Sequence, residues 1–247
     1  MKTLSRFGDG RRRRIGLLGG SFNPAHAGHR YVAEMAIRRL GLDEVWLVVS
    51  PGNPLKPIAG MASYSERLQS AAAIADDRRI FAVGLEAAWG TRYTRDTVRL
   101  LKQRFPKVRF AWLMGADILE QLPAWRCWLG LAKTIPFAVL PRPGYTFPSL
   151  AGRAAKRLRH WRVRRGAGRL LLASNAAPAW VFVSCADNTA SASAIRGRAK
   201  GERAIATLPP DDAKWRARRK PRARRPANAP ILAAGGAPGG GLAASVR

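Results

Sequence analysis

The chain is poor in cysteine, histidine and acid. Cys127 and Cys185 are its two cysteines in 247 residues, and they sit in unrelated contexts. A disulfide framework is thereby excluded, and both are expected to be reduced core residues. Two of the three histidines, His26 and His29, stand three apart. Zinc takes three or four ligands, and no Cys, Asp or third His lies near that pair, so no metal site is assigned. No run approaches the roughly 18 apolar residues of a membrane helix. The basic stretch Met1–Arg14 leads into an apolar run of four residues, too short for a signal-peptide core. A cytoplasmic protein without membrane attachment is expected. No internal repeat is visible.

Scarcity of acid leaves a formal charge of +29, from 44 Lys/Arg against 15 Asp/Glu. Residues 1–14 carry +5, residues 151–170 carry +8 and residues 211–226 carry +6, so these segments hold +19 of the total. The remainder is basic too, which suits a site for polyanionic nucleotides. Residues 1–13 read as a disordered basic arm, with the Arg11–Arg14 run repelling itself. Residues 209–247, basic and then rich in Ala, Gly and Pro, read as a disordered tail. Between them, residues 14–208 form the folded domain.

What is present is a regular alternation of short apolar strands and helical patterns. Ile15–Leu18, Val45–Val49, Ile80–Val83, Val108–Met114, Phe137–Leu140 and Trp180–Val183 read as strands. Helices are expected from the histidine pair to Leu40, capped by Gly41, and from the Ser63–Glu66 capping box to about Asp76 with Leu68, Ala72 and Ala75 inward. Further helices are expected after Thr94, which reads as an N-cap, over Ile118–Leu122, and through the Arg-rich 151–170 segment. Continuous apolar strands between helices imply a single α/β domain, a Rossmann-like doubly wound parallel sheet with the first strand central.

The chemistry concentrates where the first strand ends. Gly19-Gly20-Ser21-Phe22-Asn23-Pro24 is a tight turn, and His26-Ala27-Gly28-His29 then opens a helix. Strand, glycine turn and helix N-terminus together present amide N–H groups and a positive dipole end to a phosphate. Lys56, in a proline-rich loop, reads by itself as a solvated cation. Asp117, just past the fourth strand, caps a helix or meets a ligand at the sheet's carboxyl edge. Trp125 reads by itself as a core residue more readily than as a ligand platform.

The stretch Gly19–Pro24 followed by His26-x-Gly28-His29 resembles the signature of the HxGH nucleotidyltransferases, and more narrowly of the bacterial nicotinate-nucleotide adenylyltransferases. Tyr93-Thr94-x-Asp96-Thr97, Gly115-Ala116-Asp117 with Trp125, and Arg142-Pro143-Gly144-Tyr145 are similar to further segments of that family. Thr189–Arg196 resembles the superfamily's second signature only in part: Ala190, Ala192 and Ser193 replace the usual Ile, Ser and Thr. The resemblance implies transfer of AMP from ATP to nicotinate mononucleotide, giving deamido-NAD and pyrophosphate, with Mg2+ accompanying ATP. It implies that His26 and His29 act on the phosphates, and that Gly19, Gly20, Ser21, Phe22, Asp117, Ser191, Ser193 and Arg196 bind ATP. Lys56, Thr94, Trp125 and Arg142 would meet the mononucleotide. Two alternatives stay open. One is a sister enzyme acting on nicotinamide mononucleotide or phosphopantetheine. The other is a nucleic-acid-binding protein on a degenerate fold of this kind, although nucleic acid is expected to bind at most weakly and nonspecifically through the basic appendages.

Overall fold

The computed structural model describes residues 10–52, 60–76, 78–164, 167–172 and 177–185. Among them, six strands form one all-parallel sheet: β1 (Arg14–Gly20), β2 (Glu44–Val49), β3 (Ile80–Val83), β4 (Arg109–Gly115), β5 (Phe137–Leu140) and β6 (Trp180–Phe182). The order is β3-β2-β1-β4-β5-β6, with β1 central as expected. In register, Leu17 lies beside Trp46 of β2 and beside Trp112 of β4. The order reverses between β1 and β4, which opens a crevice at the carboxyl ends of those two strands.

Side-chain alternation sorts the strand residues into two cores. Ile15 and Leu17 of β1 join Trp46 and Val48 of β2 on one face, with Val98, Leu101 and Phe105 packed over them. Leu18, Val45, Leu47 and Val49 face the other way, under Ala33, Ala36, Ile37 and Leu40. Both faces are covered, so the strand interiors are apolar, and β2 is buried at all six positions, its leading Glu44 included. Trp46, Phe105 and Phe110 meet edge to face with centroids 5.8, 5.9 and 6.3 Å apart. Contacts of that kind add about 0.5–1.5 kcal/mol per pair beyond area burial.

Helix α1 (Ala27–Leu40) ends at Gly41, whose φ of 65° and amide bond to the Ile37 carbonyl make the expected left-handed cap. Helix α2 (Tyr64–Ala73) starts on the expected capping box: Ser63 and Glu66 bond each other's backbone N–H. Its inward face differs from expectation, because Arg67 and Ala71 are buried while Leu68 and Ala72 are only partly covered and Ala75 lies beyond the helix. Short helices that escaped the sequence reading include α3 (Leu85–Trp89) and α6 (Trp128–Thr134).

Four further expectations are corrected. Thr94 does not cap α4 (Thr94–Arg104); it is the first helical residue, and Tyr93 takes the cap position. Asp117 does not cap α5 (Ala116–Gln121), because the helix begins one residue before it and its carboxylate is held elsewhere. The basic 151–170 segment is not one helix. It divides into α7 (Thr146–Ala151), α8 (Arg153–Arg157), a 3-10 helix at Ala167–Leu172 and, between those last two, a single turn at Arg159–Trp161. Beyond that turn the Val163 amide donates to the Trp180 carbonyl at 2.7 Å, so pairing beside β6 replaces helical hydrogen bonding. The cysteines are not core residues either: Cys127 is exposed with φ 53°, and Cys185 is half-buried. The basic arm before Gly10 and the tail beyond Cys185 lie outside the described residues.

Candidate active site

A cavity of about 650 Å³ occupies the crevice. It is lined by Gly19, Gly20, Ser21, Phe22, His26, His29, Thr94, Asp117, Trp125 and Arg142, so ten residues singled out from the sequence meet around one space. Lys56, Ser191, Ser193 and Arg196 lie outside the described residues.

The strand-to-helix turn explains how the histidines are held. His26 is the N-cap of α1, and its Nδ1 accepts the Gly28 N–H at 3.1 Å. His29 reaches back, and its Nδ1 accepts the His26 N–H at 3.2 Å. A ring nitrogen that accepts from an amide carries no hydrogen, so each neutral imidazole has its hydrogen on Nε2. The rings lie 3.9 Å apart between centroids, and Phe22 packs on His29 at 4.9 Å. Burial, and then the charge of Arg142, hold the pKa of His26 below its ordinary 6.5. The neutral donor form therefore persists at neutral pH.

Close approach requires a glycine at position 19. A Cβ there would sit 2.5 Å from the indole of Trp112. Trp112 in turn meets Trp125 edge to face at 6.2 Å, so the floor under the glycine turn and the tryptophan wall are one packed unit. Phe22 has φ 49° although it is not glycine, and it is 2 % exposed. Such a backbone costs about 1–3 kcal/mol and persists only where packing dictates it.

In the same cavity lining, Arg142 donates to Asp117 Oδ2 at 2.8 Å, while Oδ1 is buried without a hydrogen-bond partner. That oxygen can accept from a ligand hydroxyl. Thr94 stands at the start of α4, and Arg126 lies 4.6 Å over the Tyr93 ring beside it. Among the described residues no three His, Cys, Asp or Glu side chains gather into a metal-binding group. Asp117 Oδ1 is one hard oxygen donor on the wall, which fits a divalent ion completed by phosphate oxygens better than a cage of protein ligands.

A family model described as cytidylyltransferase-like matches residues 17–198. A relative from Gluconobacter oxydans, named "Probable nicotinate-nucleotide adenylyltransferase", is 58% identical over 183 residues, covering 74% of this chain and 93% of its own length. The chain belongs to the nicotinate-nucleotide adenylyltransferase family. A second relative of that name, from Gluconacetobacter diazotrophicus, is 49% identical over 204 residues, covering 82% of this chain and 94% of itself. The fold likewise matches solved structures of a Plasmodium falciparum nicotinic acid mononucleotide adenylyltransferase. One, complexed with NaAD, gives a TM-score of 0.55 at 17% identity and covers 75% of this chain and 83% of that one. Another, complexed with APC, gives 0.53 at 16% identity with the same coverage.

In this family member two residues that line the site, Trp112 and Glu86, and one behind its turn, Arg67, were not picked out from the sequence. Trp112 read only as part of a strand. Glu86, 6 % exposed, lines the cavity from α3, and its pKa is pushed up to about 7 by burial. Arg67 is 2 % exposed although charged. Its spacing of four from Ala71 put it on the buried stripe of α2, and that was the available signal.

Proposed function

We propose that this cavity transfers the adenylyl group of ATP to the phosphate of nicotinate mononucleotide. A phosphate oxygen of the mononucleotide attacks the α-phosphorus in line, the bond to the β-phosphate oxygen breaks, and deamido-NAD and pyrophosphate leave. No covalent enzyme intermediate is needed, so the chain's work is positioning and charge stabilisation. The observation that carries the reading is the pairing of His26 and His29, each with Nε2–H as donor, at a glycine turn facing Trp125 and Thr94 across one cavity.

In this reading the histidines and the Gly19–Phe22 turn grip the α- and β-phosphates. Ser191, Ser193 and Arg196 would bind the ATP phosphates, and Lys56 would meet the mononucleotide. Trp125 stacks on the pyridine ring, and Thr94 with the first amides of α4 receives the nicotinate carboxylate. Arg142 faces the mononucleotide, and its charge adds to burial in keeping His26 neutral. Mg2+ carried with ATP would supply charge neutralisation on the phosphates, and Asp117 Oδ1 is the oxygen that would hold it or a ribose hydroxyl. Among the described residues no helix is long and apolar enough to cross a membrane, and we place the enzyme in the cytoplasm. Nucleic acid, if it binds the basic appendages, does so weakly and without sequence preference.

The test is a pyrophosphate-release assay with ATP and a panel of acceptors. Nicotinate mononucleotide should give the highest kcat/KM, with nicotinamide mononucleotide and phosphopantetheine at least tenfold lower. A better rate with either of the last two would reassign the acceptor.

A further inference from the structure

Arg67 is a buried cation whose hydrogen-bond acceptors are all backbone carbonyls. Its Nε donates to Ala62 O at 3.1 Å, one terminal nitrogen donates to both Ser21 O at 2.9 Å and Ser50 O at 2.6 Å, and the other donates to Pro51 O at 3.0 Å. These acceptors belong to three separate segments: the turn after β1, the turn after β2, and the residue before the α2 capping box. Tyr64 lies against the guanidinium, 5.6 Å from ring centroid to carbon, and among the described residues no carboxylate pairs with it. Burial lowers its pKa, yet an arginine keeps its proton. An unpaired buried charge is costly, so the arrangement needs a reason beyond holding loops together.

Peptide geometry supplies one. The C=O and N–H of a trans peptide point in opposite directions. Arg67 holds the Ser21 carbonyl on its own side, which turns the Phe22 N–H away from it. Phe22 and Ser21 both line the cavity, within the turn that faces His26 and His29. The same terminal nitrogen ties Ser21 to Ser50, beside the bond from Ser50 N to Gly20 O at 3.0 Å. The exits of two neighbouring strands are thus pinned at one point.

We propose that Arg67 is a positioning residue for the triphosphate half of the site. It fixes the Ser21–Phe22 peptide so that the glycine turn is preformed as an anion cradle, and it leaves an uncompensated positive charge behind that cradle. The inference rests on the reading of the cavity as an ATP site, but its test is read from ATP binding as well as turnover.

Arg67→Met and Arg67→Lys are compared with the wild-type chain at a temperature well below each variant's Tm. Calorimetry with ATP alone gives Kd, and the pyrophosphate assay gives kcat and both KM values. Arg67→Met should weaken ATP binding about 30-fold and lower kcat about tenfold, with KM for nicotinate mononucleotide within about threefold. Arg67→Lys keeps the charge but reaches fewer carbonyls, so it should restore part of the ATP affinity. Should Arg67→Met not fold, Arg67→Lys decides, with ATP binding weakened about tenfold as the expected result. ATP affinity within threefold of wild type in any folded variant, whatever its Tm, overturns the proposal. So does an Arg67→Lys chain that fails to fold, which would make Arg67 a folding residue. A wild-type chain that binds ATP without making deamido-NAD would instead overturn the function, leaving Arg67 judged on Kd.

Discussion

Replacing Glu86 with Gln should make the protein more resistant to alkaline pH. Glu86 is 6 % exposed, and burial raises its carboxyl pKa from the ordinary 4.5 to about 7, against the opposing hydrogen bonds of Ser50 and Thr97. The Thr97 contact is a long one, 3.4 Å to Oε1, and the Thr97 hydroxyl also meets Thr91 at 2.7 Å. A raised folded-state pKa means that the native state holds the proton more tightly than the unfolded chain. The stabilisation is full below about 4.5 and is lost as pH rises through about 7. Each tenfold difference in proton affinity is about 1.4 kcal/mol, so the complete effect is about 3 kcal/mol, of which about 2 kcal/mol falls between pH 5.5 and 8. His26 acts in the opposite sense. Its lowered pKa gives a contribution present above its ordinary 6.5 and lost as pH falls through the folded value. Comparing Glu86→Gln with wild type cancels that contribution, because His26 is common to both. Urea unfolding across pH 5.5–8 should therefore show wild-type stability falling relative to the variant by about 2 kcal/mol. Parallel pH profiles would refute the assignment of a proton to Glu86 in the native state.

Other substitutions test separate parts of the site. His29→Ala should lower kcat by about 10²-fold, as loss of a preorganised donor does, with little change in Tm; near-normal turnover would make His29 a capping residue only. Gly19→Ala would drive a methyl group against the Trp112 indole, 2.5 Å from the new Cβ, and should cost about 1–3 kcal/mol in chemical unfolding. Because Trp112 backs Trp125, the same change should raise KM for the mononucleotide, and an unchanged KM would separate the two tryptophans. Trp125→Ala should raise KM for the mononucleotide while KM for ATP stays nearly constant. If both rise together, Trp125 is part of the core.

The sequence carried the sheet well because each strand is buried on both faces, and an apolar run such as Val45–Val49 has no other reading in a domain of this kind. Ile80–Val83 and Phe137–Leu140 coincide with the observed strands. The glycine turn and histidine pair were legible because their residues are consecutive. Helix starts were less so: Thr94 looks like a cap by composition, but the chain turns helical one residue earlier than a cap allows. The 151–170 segment misled because its charge pattern suits a helix, while its Trp161–Val163 end is claimed by β6. Arg67 and Glu86 stayed hidden because their partners are backbone carbonyls and hydroxyls brought together only by the sheet.

The central claim, that the cavity joins ATP to nicotinate mononucleotide, is tested most directly by the product. The wild-type chain is mixed with ATP and Mg2+, and the mononucleotide is added afterwards. Pyrophosphate and deamido-NAD, followed by mass spectrometry, should appear only after that addition and in equal amounts. Pyrophosphate released before the acceptor, or with no dinucleotide formed, would contradict the account.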